Sequence, residues 1–186
     1  DEEVRVAPQR QAEHAAPNRA WFADFARSHA VALATHDDTT AAHVDEARAL
    51  GAGLSEFPTS LVAARRAREL GLSTVAGAPN VVRGGSHSGN VAALDLAREG
   101  LLDALSSDYV PSSLLLAAWL LTRDAGFSLP EALAVVTRRP ALACGLETSA
   151  FQRSFRRAMG ISFAQFALRH RVSGAAFSET GATTAN

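Results

Sequence analysis

Four times in succession a short apolar run gives way to a helix-patterned stretch, with a polar, chemically capable residue at the junction. Residues 31–35 run into His36-Asp37-Asp38, and residues 53–57 finish at Glu56-Phe57-Pro58. Residues 73–76 open into a long glycine-rich loop over 77–90, and residues 102–105 close on Ser106-Ser107-Asp108-Tyr109. Helix-like stretches lie between, over 40–50 with Gly51 as its stop, 59–70 with Gly71 as its stop, and 91–99; a last one runs from Pro111 through Leu121. Short buried strands alternating with helices of this length predict right-handed β-α-β crossovers and a parallel sheet. The pattern alone fits a barrel and an open sheet equally. In both, the loops that follow the strands share one face. His36, Glu56, Asn80 with His87, and Asp108 therefore belong on one side of the molecule.

Charge narrows the function classes. Eighteen Lys plus Arg against nineteen Asp plus Glu leave a net charge of -1. No overall field recruits nucleic acid or an anionic membrane, and any anion site has to be built locally. A 47% hydrophobic content provides for a real core. The longest apolar run, Leu114 to Leu121, is too short to span a bilayer. The acidic start Asp1-Glu2-Glu3 lacks the basic region of a signal peptide. One cysteine, Cys144, excludes an internal disulfide and a thiolate metal cluster; it reads as a small core residue and fits a reducing, cytoplasmic compartment. Ahead of the first strand, Trp21, Phe22, Phe25 and Ala26 fall at helical spacing after Pro17-Asn18, predicting an amphipathic helix over 17–29.

Each strand end offers a specific chemistry. His36 presents an imidazole and Asp108 a carboxylate from two different strands, the way an open catalytic site holds a divalent metal such as zinc and keeps a position for water. Asp108 also reads as a cap or turn residue before the following helix. Asp37 and Asp38 could orient His36, bind a second cation or take a proton; Asp-Asp-Thr is equally a helix-capping cluster. Glu56 could ligate metal, contact sugar hydroxyls or cap the next helix. The glycine-rich stretch is the strongest local signal. Gly84, Gly85, Ser86, Ser88 and Asn90 allow close backbone approach, with unpaired amides ahead of a helix, which suits phosphate. Asn80 and Arg83 add donors, Arg83 as a fork, and His87 can donate to an anion or a leaving group.

Taken with their order and spacing, these segments resemble the triphosphate diphosphatases of phosphonate breakdown within the amidohydrolase superfamily. They are His36-Asp37-Asp38-Thr39-Thr40, Ser55-Glu56-Phe57-Pro58-Thr59, Gly77-Ala78-Pro79-Asn80, the run from Arg83 to Asn90, and the run from Ser106 to Pro111. The resemblance covers about residues 17 to 146. It implies the C-terminal half of a (β/α)8 TIM-type barrel of the metal-dependent hydrolase kind. The implied activity is hydrolysis of a 5-triphosphate on a ribose phosphonate with release of pyrophosphate. His36 would stand as the fifth-strand metal ligand and Asp108 as the eighth-strand aspartate, with the glycine-rich segment on phosphate or phosphonate oxygens. Glu56 stands where many relatives carry a histidine. The superfamily's first-strand His-x-His pair would lie ahead of residue 1. Residues 1–146 then form a partial barrel with two exposed parallel edges, expected to be poorly stable or inactive without the N-terminal half.

The end of the chain reads differently. Met159 and Ile161 are the only residues of their types, which places a boundary near 147. Residues 147–172 resemble the last helix-turn-helix of AraC-type regulators, with Arg153, Arg156, Arg157, Arg169 and Arg171 as a basic patch capable of weak backbone contact with nucleic acid. Residues 173–186 read as a disordered tail.

Overall fold

The computed structural model describes residues 2–86, 88–145, 147–162 and 165. It divides into two compact units, Asp1–Cys144 and Gly145–Asn186.

In the first unit the strands β1 (Ala34–His36), β2 (Leu54–Glu56), β3 (Ser73–Gly77) and β4 (Ala104–Ser106) form one parallel sheet in the order β1-β2-β3-β4. β3 and β4 are the buried strands, whereas β1, at the edge of the sheet, has no buried residue. Helices α2 (Ala41–Ala49) and α3 (Leu61–Glu69) connect the first three strands. Each begins where a hydroxyl replaces a missing backbone partner: Thr40 accepts from the His43 N–H and Ser60 from the Ala63 N–H. Helices α4 (Ala78–Arg83) and α5 (Ala93–Arg98) link β3 to β4; α6 (Ser113–Asp124), α7 (Leu129–Ala134) and α8 (Arg138–Ala143) follow. Leu96, Leu102, Leu121 and Val135 are fully buried in the main core, and Val44 anchors a smaller cluster between α2 and α3.

Several expectations are corrected. The first helix, α1, runs from Glu2 to Ser28, and Pro17 lies inside it. An interior proline loses one helical hydrogen bond, so the sequence favours a start there; the stretch ahead of it is nonetheless rich in Ala, Glu, Gln and Arg, the strongest helix formers. Its buried face is Ala23 and Ala26, while Trp21, Phe22 and Phe25 remain exposed and pack on one another. Cys144 is exposed at the end of α8. The β4 side of the sheet is not fully open: the Leu105 N–H donates to the Val135 carbonyl at 2.9 Å, and Arg139 donates to the Leu102 carbonyl at 3.4 Å. Burying a strand edge under a following segment is one way to blunt it. Among the described residues β1 pairs only with β2.

The second unit contains α9 (Thr148–Met159), closed by Gly160 in the left-handed region at φ 70°. Arg153, Arg156 and Arg157 are exposed on it. Ser162 and Gln165 then exchange the reciprocal hydrogen bonds of a capping box. The expected second helix otherwise lies outside the described residues, as do Arg169, Arg171 and residues 173–186. Among the described residues no helix is long and apolar enough to cross a membrane.

Candidate functional site

Backbone conformation singles out the ends of the strands. Non-glycine residues at positive φ are uncommon because Cβ crowds the carbonyl, and they gather where a site overrides local preference. Four occur among the described residues: Ala30 after α1, and Asp37 (60°), Phe57 (52°) and Asp108 (49°), each just past β1, β2 or β4. At β3 there is no such turn: Gly77 ends the strand in extended conformation at φ -78° and leads straight into Ala78. A side chain at Gly77 would stand 3.5 Å from the Phe57 ring and 3.6 Å from Asp108 Oδ2, so both groups converge over the end of β3.

The two neighbouring aspartates have separate tasks. Asp37 Oδ2 lies 2.9 Å from His36 Nδ1, which leaves the other ring nitrogen to face outward. A carboxylate on one imidazole nitrogen orients the ring and sets its tautomer, as behind many metal-binding histidines. Asp38 is buried, accepting from Thr35 Oγ1 and Ser55 Oγ at 2.9 Å each, while its carbonyl takes the Thr59 N–H at 2.8 Å. It ties β1, β2 and the α3 approach together beneath the strained Asp37. Neither aspartate caps α2; Thr40 does. Asp38→Ala should leave the Thr35 and Ser55 hydroxyls without their acceptor, so urea denaturation is expected to show a loss of about 1–3 kcal/mol. A loss under about 0.5 kcal/mol would mean that this carboxylate does not hold the strands.

The glycine-rich segment differs from its sequence reading. It is not one loop, because Ala78–Arg83 forms α4, with Pro79 in its first turn and Gly84 ending it at φ 82°. Asn80 therefore faces inward, its Oδ1 accepting the Ala93 N–H at 2.9 Å and capping the start of α5. This bond uses the acceptor end of the amide and takes neither of its Nδ2 donors. Arg83 stands at the end of α4 and donates from Nη2 to the Tyr109 hydroxyl at 2.6 Å. Beyond Gly84, residues 85, 86 and 88–90 form a loop in which the Ser88 N–H donates to Ser86 Oγ. His87 lies outside the described residues.

These pieces enclose a cavity of about 270 Å³ at the strand ends, with Arg83, Ser86, Ser88, Asn90, Asp37 and Asp108 around it. Asn80 reaches its wall; His36, Glu56, Gly84 and Gly85 do not. Asp108 is no helix cap, since α6 starts from Ser112 and the Asp108 N–H is occupied by Ser106 Oγ. Glu56 caps nothing either, because Ser60 serves α3. Tyr109 and Phe57 were not singled out from sequence; the available signal was their position directly beside Asp108 and Glu56. A larger cavity, about 660 Å³, lies at the opposite end of the strands, beside Ser73, Leu102 and Asp103. Its arginines are partly engaged already: Arg68 with Asp103 and the Gly100 carbonyl, Arg139 with Leu102. In parallel α/β folds chemistry collects at the C-terminal strand ends, and the three strained strand-end residues, Asp37, Phe57 and Asp108, all line the smaller cavity.

His36 ends β1 and Asp108 lies just past β4, so they belong to the two outer strands of the sheet. The Phe57 ring packs edge-on to His36, with centroids 5.2 Å apart, and also reaches the Gly77 position that Asp108 approaches. No three His, Cys, Asp or Glu side chains among the described residues gather as a metal site. The residues here thus offer two candidate ligands, one of them already oriented, and less than a full set.

The chain is 53% identical over 133 residues to the alpha-D-ribose 1-methylphosphonate 5-triphosphate diphosphatase of Escherichia coli (strain K12). The match takes in 70% of this chain and 35% of that protein, so the chain spans about a third of the length of this curated relative. No family model matches the sequence. No solved structure matches it.

Proposed function

We propose that this chain supplies the phosphate-binding face of a metal-dependent hydrolase that cleaves ribose 1-methylphosphonate 5-triphosphate and releases pyrophosphate. The observation that carries the reading is the 53% identity to a diphosphatase of that name; the strand-end cavity with Arg83, Ser86, Ser88 and Asn90 supports it. We further read the sheet as the C-terminal half of a (β/α)8 barrel. Sequential order with every neighbour parallel is the winding of a barrel, whereas a doubly wound sheet reverses order at a switch point.

The reaction attaches a water oxygen to the phosphorus nearest the ribose and breaks that phosphorus's bond to the bridging oxygen, giving a 5-monophosphate and pyrophosphate. Catalysis of such a transfer is mainly positioning and charge stabilisation. Arg83 holds the negative oxygens, with the Gly84–Ser86 and Ser88–Asn90 backbone closing round them. Asp108 takes the proton from the attacking water, and His87 donates to the departing pyrophosphate. Glu56 contacts the sugar. His36, oriented by Asp37, and Asp108 would serve as ligands to a divalent cation such as zinc, with further ligands beyond the described residues; bound there, the cation would lower the pKa of water and draw charge from the phosphate.

The test is a pyrophosphate-release assay on this substrate with the chain joined to an N-terminal barrel half, run beside amide hydrolysis and base deamination as the competing superfamily chemistries. Pyrophosphate release suppressed by a chelator is the expected result, and amide turnover without it would replace the reading. Arg83→Ala is expected to weaken binding of pyrophosphate about 10- to 100-fold, as loss of a charge-assisted contact does. The side chain is exposed, so its melting temperature should stay unchanged. Undiminished affinity would remove Arg83 from the site.

A further inference from the structure

We infer that Tyr109 is a ligand-contacting residue of the strand-end cavity, where its hydroxyl holds the Arg83 guanidinium in place and its ring forms a wall against a pyrophosphate-bearing ligand. The inference rests on the anion-site reading above. Tyr109 and Arg83 are 26 residues apart, on the connections after two adjacent strands, yet Nη2 and the hydroxyl are 2.6 Å apart. Both side chains line the same cavity as Asn90 and Asp108.

The two are placed differently: glycine's own preference stops α4 after Arg83, whereas Asp108 turns the chain against its preference. Arg83 ends α4 against Gly84 at φ 82°, and Tyr109 is thrown forward by Asp108 at φ 49°. Tyr109 keeps 62% of its surface exposed although its hydroxyl is engaged by Arg83. A ligand lying on the ring would cover that surface. The hydroxyl uses one of the five guanidinium donors and leaves the others for phosphate oxygens. A flexible arginine fixed before binding loses less freedom on binding, so the contact raises affinity without touching the anion itself.

The sequence contains one tyrosine, which makes the test clean. The 186-residue protein labelled with 3-fluorotyrosine gives a single fluorine resonance. Pyrophosphate titrated into it is expected to move that resonance saturably, with the dissociation constant that calorimetry gives for the unlabelled protein. Tyr109→Phe, which keeps the ring, should weaken calorimetric binding about 3- to 10-fold, the usual worth of one hydrogen bond; Tyr109→Ala should weaken it further. Arg83→Ala should shift the resonance before any ligand is added. If pyrophosphate binds by calorimetry while the resonance stays still and Tyr109→Phe binds as well as the parent, the role of Tyr109 is overturned and the anion site stands. If pyrophosphate does not bind at all, the anion site falls and this inference with it.

Discussion

In an enzyme completed with an N-terminal barrel half, Asp108→Asn is expected to reduce pyrophosphate release by about 100- to 10,000-fold, the range associated with loss of a general base, while leaving the fold intact. The substitution is unusually clean at this position. Asp108 sits at φ 49°, a region that asparagine tolerates as readily as aspartate, so the turn after β4 keeps its shape. Its N–H bond to Ser106 Oγ is made by the backbone and survives. Only the ability to take a proton, and the charge offered to a cation, are removed. Asp108→Ala would confound this loss with strain at the turn. Turnover within a few-fold of the parent would take Asp108 out of the chemistry and leave it as a turn residue.

Leu121→Ala should be the most destabilising of the single core truncations on α6. Leu121 is wholly buried, and its backbone carbonyl also receives the Ala125 and Phe127 N–H groups that close the helix. Truncation opens a cavity among packed neighbours and costs about 2–5 kcal/mol. A domain of this size is stable by only about 5–15 kcal/mol, so the midpoint of urea unfolding should fall sharply. Leu116→Ala, on the exposed side of the same helix, should change stability by no more than about 0.5 kcal/mol. Equal effects from the two would contradict the packing of α6.

The strand-helix alternation was legible because it depends on short-range signals: apolar runs too short for helices, glycine stops after 50 and 70, and a polar residue at each junction. The parallel sheet follows from those signals and is what the structure contains. The strand-end position of His36, Glu56 and Asp108 was equally visible, since it depends only on chain order. What escaped was non-local. Nothing adjacent to Asp38 says that it is the aspartate that turns inward, because its partner Ser55 is seventeen residues away. That Asn80 also accepts the Ala93 N–H shows only once α5 is beside α4. The helix Ala78–Arg83 was hidden inside a glycine-rich stretch, although Pro79 and Gly84 are ordinary start and stop signals. The pairing of Arg83 with Tyr109 likewise exists only once β3 and β4 are side by side.

The most direct test of the anion-site account is to titrate pyrophosphate into the nitrogen-15-labelled protein and map the amide resonances that move. The account predicts saturable shifts centred on Arg83, Ser86, Ser88 and Asn90 with Asp108 and Tyr109, around the cavity at the C-terminal ends of the strands. Shifts centred instead on Arg68, Asp103, Arg138 and Arg139, around the larger cavity at the other end of the strands, would contradict it.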